Sequence, residues 1–273
     1  MSPKILFTKR WQSVAILIIG IVLTIAAAIY TKKESETVAK HEFALVCNEI
    51  RTKITTRLYS HAQLLRSGSA FFAGSDAVTR NDWKIFVENS RLNKNIPGIQ
   101  GVGFSVIIKK ELLQQHIQQI IKEGFPDYTV RPAGDREIYT SIIYLEPFAD
   151  RNLRAFGYDM YSEPARRKAM EQARDHDAAA LSGKVILVQE TDIDVQAGTL
   201  MYVPVYRNGL PINSIEERQA AIIGWVYSPF RMVDMMKGIL GSRDLNDNNK
   251  IHLQVYDNDS ISQNSLLFEI SNS

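Results

Sequence analysis

GYDMYSEPARRKAMEQARD, Gly157–Asp175, runs from a short aromatic segment through a helix start into a densely charged helix. Ser162 before Glu163 and Pro164 predicts that start: the serine oxygen accepts an orphan backbone N–H, and proline needs no partner in the first turn. Glu163 complements the positive end of the helix dipole. Ala165, Ala169, Met170 and Ala173 then form one apolar stripe, which assigns Arg166, Arg167, Lys168 and Arg174 to a solvated face. With capping given to Ser162, Asp159 needs another role. Strand alternation places it with Gly157 and Tyr161, opposite Tyr158 and Met160. A carboxylate in such apolar company must find donors, either Arg154 or Arg166 in a structural ion pair or the N–H groups of a bound molecule. The residues alone leave both open.

On either side of this stretch, short strand-like runs outnumber helices. Upstream, GIQGVGFSVIIK reads as a strand, KELLQQHIQQIIKEG as an amphipathic helix closed by Gly124, and YTVRP and EIYTSIIYLEPF as strands. Downstream, KVILVQE, TLMYVPVYRNG, AAIIGWVYSPF, KIHLQVYD and LLFEIS read as strands, with RMVDMMKGILG as a helix. Turns such as RNGLP and DNDS are too short for crossover helices, so antiparallel pairing is expected. The fold class is α+β with two small antiparallel-sheet units resting on a long helix. Thr79 is the expected N-cap of a short helix carrying Trp83, Phe86 and Val87.

That long helix spans 34–73. It holds no proline and, before Gly68, no glycine, and Val46, Ile50, Ile54, Leu58, Ala62 and Leu65 recur at helical steps. One stripe can pack on its own domain while another faces a second copy, so a homodimer through this stalk is expected. Ahead of it, WQSVAILIIGIVLTIAAAIYT, residues 11–31, carries no charge and is long enough to cross a bilayer. Lys4, Lys9 and Arg10 before the span outnumber Lys32 and Lys33 after it, which places residues 1–10 in the cytoplasm and the rest outside, at the inner membrane. The competing reading is a cleaved signal peptide ending near Ala26–Ala28. No second apolar span follows, so the expectation is a fragment of a larger receptor or a protein that acts through a partner.

The chain has 273 residues, 45% hydrophobic and 23% charged, with a formal net charge of +2 spread over interspersed acids and bases. No continuous basic surface faces a phosphate backbone, so nucleic acid is excluded as an expected partner. The single cysteine, Cys47, rules out an intramolecular disulfide and a cysteine-rich zinc site. The five histidines are scattered without metal-ligand spacing, and His176–Asp177 lacks the further ligands a metal phosphohydrolase requires. No dinucleotide or P-loop fingerprint occurs, and Glu146 and Asp150 read as solvated loop acids. No cofactor, metal or catalytic residue is assigned, and a non-enzyme is expected.

The run YLEPFADRNLRAFGYDMYSEPARRKAMEQARDHDAAALSGKVILVQE, residues 144–190, followed by TLMYVPVYRNG, resembles the extracellular CHASE sensory domain in its bacterial form. LLRSGSAFFAGSDAVTRNDWKIFV and IPGIQGVGF upstream, and IIGWVYSPFRMVDMM with QVYD downstream, extend the resemblance over nearly all of the chain beyond the span. It implies a membrane-distal PAS-like ligand unit, here 74–210, and a membrane-proximal PAS-like unit, 211–273. It also implies a link to a histidine kinase or cyclic-dinucleotide enzyme. Plant members recognise adenine-type cytokinins. On that pattern Asp159 accepts hydrogen bonds from the ligand, Leu181 contributes backbone groups, and Thr191 matches a pocket threonine. Asp177 and Ala178 replace the glycine usual before the Leu181 segment, so cytokinin specificity is not carried over. The expected function is ligand sensing with signalling through the stalk; the alternative is a membrane-tethered interaction domain without a small-molecule ligand.

Overall fold

The computed structural model describes residues 3–92, 99–190, 194–246 and 252–270. Its first helix, α1 (Pro3–Ala73), belongs to two compact units, residues 1–53 and residues 54–273. In the first unit, α1 contains a segment from Trp11 that is long and apolar enough to cross a membrane. Trp11 and Tyr30 bracket it, both exposed. At ~1.5 Å per residue they are about 28 Å apart, close to the thickness of a hydrocarbon core, and each ring suits the membrane–water interface. Hydroxyls inside the apolar run return to their own helix: Thr24 Oγ1 donates to the Gly20 carbonyl at 2.8 Å. Thr31 Oγ1 donates to that of Ala27 at 3.0 Å. Neither needs a partner from lipid.

The second unit is built on a five-stranded antiparallel sheet of order β2-β1-β5-β4-β3. Its strands are β1 (Val102–Lys109), β2 (Ile138–Glu146), β3 (Ala180–Leu181), β4 (Gly198–Tyr206) and β5 (Ile222–Arg231). The helices are α2 (Arg80–Asn89), α3 (Leu113–Lys122), α4 (Pro164–His176), α5 (Ile215–Ala221) and α6 (Met232–Asn246), the last interrupted at Gly241. A two-stranded sheet, β6 (Leu253–Tyr256) with β7 (Leu266–Ile270), follows. β5, beyond residue 210 in sequence, pairs with both β1 and β4 at the centre of the larger sheet. The two flanking strands are far apart in the chain, so no local pattern discloses that a later strand inserts between them. KVILVQE is not a strand either. Only Val185 bridges to Gly198, and Leu187 is buried as an anchor.

One sheet face carries Phe104 and Val226 and packs on α1 and α2. Phe72 of α1 lies 4.2 Å, centroid to centroid, from Phe104, and Trp83 of α2 donates from Nε1 to the Val102 carbonyl. Thr79 caps α2 in a reciprocal box with Asp82, as its sequence predicts. Along α1, Leu65 and His61 are fully buried, and the imidazole stacks on Phe230 at 4.7 Å.

Among the described residues neither His61 nitrogen has a hydrogen-bond partner, and burial with the nearby Arg57 charge lowers its pKa from 6.5 to about 4. The folded chain therefore keeps His61 neutral while the unfolded chain takes up a proton near pH 6.5. His116 behaves likewise, lowered to about 4 by burial. Stability contributed by each is complete above 6.5 and falls as pH drops toward 4, by up to ~1.4 kcal/mol per pH unit per histidine. His61→Phe, which keeps the ring stack, is expected to remove about half of the slope seen in thermal unfolding between pH 6.5 and 5. An unchanged slope would show that His61 already titrates normally.

Candidate ligand site on the covered sheet face

The opposite face of the large sheet is defined by register and alternation. Tyr227 pairs with Tyr202 on β4 and with Gly103 on β1; Trp225 pairs with Ser105 on β1. Side chains two apart share a face, so Gly103, Ser105, Trp225, Tyr227 and Tyr202 point the same way. Gly103 is needed there, because a Cβ would lie 2.5 Å from the Tyr227 ring. Helix α4 covers this face with Ala169, Met170 and Ala173, and Trp225 Nε1 donates to the Met170 carbonyl at 2.9 Å. Met160, Met170, Tyr202, Trp225 and Tyr227 are fully buried, so the layer between α4 and the sheet is packed shut.

Asp159 enters this layer from beyond the β2 edge. Gly157, at φ +83°, turns the chain where a side chain would meet the Thr129 carbonyl oxygen at 2.3 Å. The next residues bridge to β2 and to Arg131. Asp159 is not the strand residue its sequence suggests: it caps a single 3-10 turn, Met160–Ser162. Its carboxylate is fully buried, and Oδ1 accepts from Thr140 N at 2.8 Å, Thr140 Oγ1 at 3.1 Å and Tyr161 N at 3.1 Å. Oδ2 accepts from Arg136 Nε at 2.8 Å. Of the two roles open in the sequence, the structural ion pair is the one formed, but with Arg136 in place of Arg154 or Arg166. Arg136 is itself held by the Pro132 carbonyl and lies over the Tyr139 ring.

Two further readings change. Glu163, not Ser162, caps α4, accepting from the backbone N–H of Ala165 and Arg166; Ser162 Oγ donates back to the Asp159 carbonyl. The carboxylate wins because it is the stronger acceptor for N–H groups at a helix start. Arg166 does not belong to a solvated face. It is 2% exposed, lies over the Tyr158 ring at 4.9 Å, and donates from Nη2 to the Ile186 carbonyl at 3.0 Å. Glu146, read as a solvated acid, is also buried, and its pKa is raised by that burial.

The predicted site residues are only partly gathered. Leu181 lies in β3, at the sheet edge opposite β2; Ala180 faces the covered layer, and the Leu181 side chain is 42% exposed on the other side. Thr191 lies outside the described residues. Asp177 ends α4 in a left-handed conformation, and Arg66 of α1 binds both its carboxylate and its carbonyl, at 2.9 and 2.6 Å. Among the described residues, the polar groups at the covered layer without a hydrogen-bond partner include Arg166 Nε, Tyr202 OH, Tyr227 OH, Tyr161 OH and Ser105 Oγ; the sequence reading missed the two strand tyrosines, Tyr202 and Tyr227. Burial raises both phenol pKa values, and the Arg166 charge opposes the rise in each. The alternation of TLMYVPVY and IIGWVYSPF puts a tyrosine on one face of each strand, but pairing of the two required the register.

The model of the CHASE domain matches residues 76–268. The chain belongs to the CHASE-domain family, and the module it forms is sensory and not catalytic. Among solved structures it is similar to the ligand-binding domain of the Pseudomonas aeruginosa PAO1 amino acid chemoreceptor PctC in complex with GABA. That match has 12% identity and a TM-score of 0.41, covering 76% of this chain and 67% of that one. No curated protein matches the chain.

Proposed function

We propose that this chain is the extracytoplasmic ligand-sensing module of an inner-membrane signal-transduction receptor, with a small molecule entering between α4 and the large sheet. The sheet is taken as the membrane-distal PAS-like unit and the β6–β7 pair as part of the proximal one. The observation that carries the reading is the Arg66–Asp177 tie. It joins α1, on one side of the sheet, to the end of the helix that covers the other. A ligand that separates α4 from the sheet then acts directly on α1, and a preference for one of two arrangements becomes a signal. Asp159 serves as an anchor only if a ligand N–H replaces Arg136 on Oδ2; Leu181 backbone groups and Thr191 complete the site on the family pattern. Dimerisation through α1 gives the moving helix a partner.

Cys47 is exposed and the only cysteine, which makes it a clean reporter on α1. The full chain in native membranes is expected to form Cys47-linked dimers on mild oxidation, at a rate that changes with compounds raising its unfolding temperature in a metabolite panel including adenine derivatives. A panel without a single stabilising compound counts against ligand sensing. The second reading, a membrane-tethered interaction domain, draws on the closed packing of Met160 and Tyr161 and the fully satisfied Asp159. A flat panel together with persistent dimers would favour it.

A further inference from the structure

We infer that the molecule received under α4 is a small carboxylate, held by Arg166 Nε and the hydroxyls of Tyr202 and Tyr227. This rests on the ligand-sensing reading and departs from an adenine bound at Asp159.

Two buried charged groups at the covered layer, the Asp159 carboxylate and the Arg166 guanidinium, are in opposite situations. Asp159 has four donors and no unmet acceptor demand. Arg166 is 2% exposed, yet its Nε donates to no group among the described residues. The nearest carboxylate oxygen is Glu163 Oε2 at 3.9 Å, beyond hydrogen-bond reach, and that oxygen already accepts from the Arg166 backbone N–H. A guanidinium nitrogen can only donate, and its charge persists at every physiological pH. An acceptor is therefore required, and an anion satisfies the charge as well as the direction.

Tyr202 and Tyr227 supply the rest. They form a cross-strand pair with centroids 6.3 Å apart, both fully buried, both with unpartnered hydroxyls. Buried polar groups without partners are uncommon in folded proteins. Ser105 Oγ and Tyr161 OH are also unpartnered in this layer, but Arg166 acts electrostatically on Tyr202 and Tyr227, and these three point to a common acceptor. Two phenols and one guanidinium N–H match a carboxylate, which has about four acceptor positions on two oxygens. A cationic amine is repelled by Arg166, and a neutral acceptor leaves its charge poorly compensated. Met160 and Met170, buried in the same layer, have flexible side chains able to repack around an entering group.

The test uses the full chain in lipid nanodiscs at constant ionic strength, with propionate, benzoate and succinate set against their neutral amides. At least one carboxylate is expected to raise the unfolding temperature where its amide does not. Arg166→Gln is expected to abolish that difference. Tyr227→Phe keeps the packing and removes an unpartnered oxygen, so it is expected to fold at least as stably while binding the active carboxylate about tenfold more weakly. Equal stabilisation by acid and amide, unchanged binding in Tyr227→Phe, or no response to any carboxylate overturns the inference. In the last case, a response to adenine or another neutral metabolite leaves the sensory reading intact, and silence across all compounds removes both.

Discussion

Asp159→Ala is expected to be among the most destabilising single substitutions in the sensory unit, by roughly 3–5 kcal/mol. The loss comes less from the ion pair than from what the carboxylate leaves behind. Thr140 N and Tyr161 N are buried and lose their acceptor, although Tyr161 N keeps the Thr140 hydroxyl at 3.0 Å. Each buried donor left unmet costs about 1–3 kcal/mol. Arg136 is 21% exposed at its side chain and can turn toward water, so Arg136→Met, with three donors still on the carboxylate, is expected to cost less than half as much. For a unit of this size the alanine variant should unfold roughly 6–20 °C lower. A drop under about 2 °C would mean that Asp159 is not structural, and would return it to the role of an acceptor held for a ligand.

Arg231→Met is expected to cost a similar amount, roughly 3–5 kcal/mol, for a different reason. Arg231 closes β5 and is 7% exposed at its side chain; its Nε donates to Glu190 Oε1 at 2.8 Å and its Nη1 to Asp234 Oδ2 at 2.7 Å. Burial works against this charge, and the hydrogen bonds from Arg231 to Glu190, Asp194 and Asp234 outweigh it, holding its pKa above the ordinary value. Removing the guanidinium strands Glu190, whose side chain is 3% exposed and whose remaining donor is Gln196 N at 3.3 Å. Arg231→Met with Glu190→Gln should recover most of the loss, since the buried charge is then gone from both sides. Hydrogen exchange should show the single variant loosening the start of α6 and the Glu190 loop together. Exchange that rises in only one of them would show that Arg231 does not join the two.

Much of the architecture was legible in residue order. The apolar span, the Thr79 cap, the period of α1 and the antiparallel character of the sheet are local properties, set by the residues within a turn or a strand. The CHASE motifs identified the family for the same reason, being long and ordered along the chain. The candidate site was less legible. Asp159 was singled out correctly as a buried acid that needs donors, but its chief partner, Arg136, sits 23 residues away in an unpatterned loop. Arg166 looked solvated because its neighbours Arg167 and Lys168 are charged, and periodicity could not tell which face of a short, mostly polar helix the sheet would cover.

By itself the sequence determined that the chain carries a segment long and apolar enough to cross a membrane, a long helix and antiparallel strands, because these follow from hydrophobic length, periodicity and turn chemistry near each residue; its motifs, ordered along the chain, carried the resemblance to the CHASE family. Only the tertiary structure decided that β5 inserts between β1 and β4, that Asp159 is satisfied, and that Arg166, Tyr202 and Tyr227 share one buried layer with donors to spare. Those outcomes depend on which distant backbones pair, and hydrogen-bond satisfaction is a property of the assembled layer, so no single segment contains it.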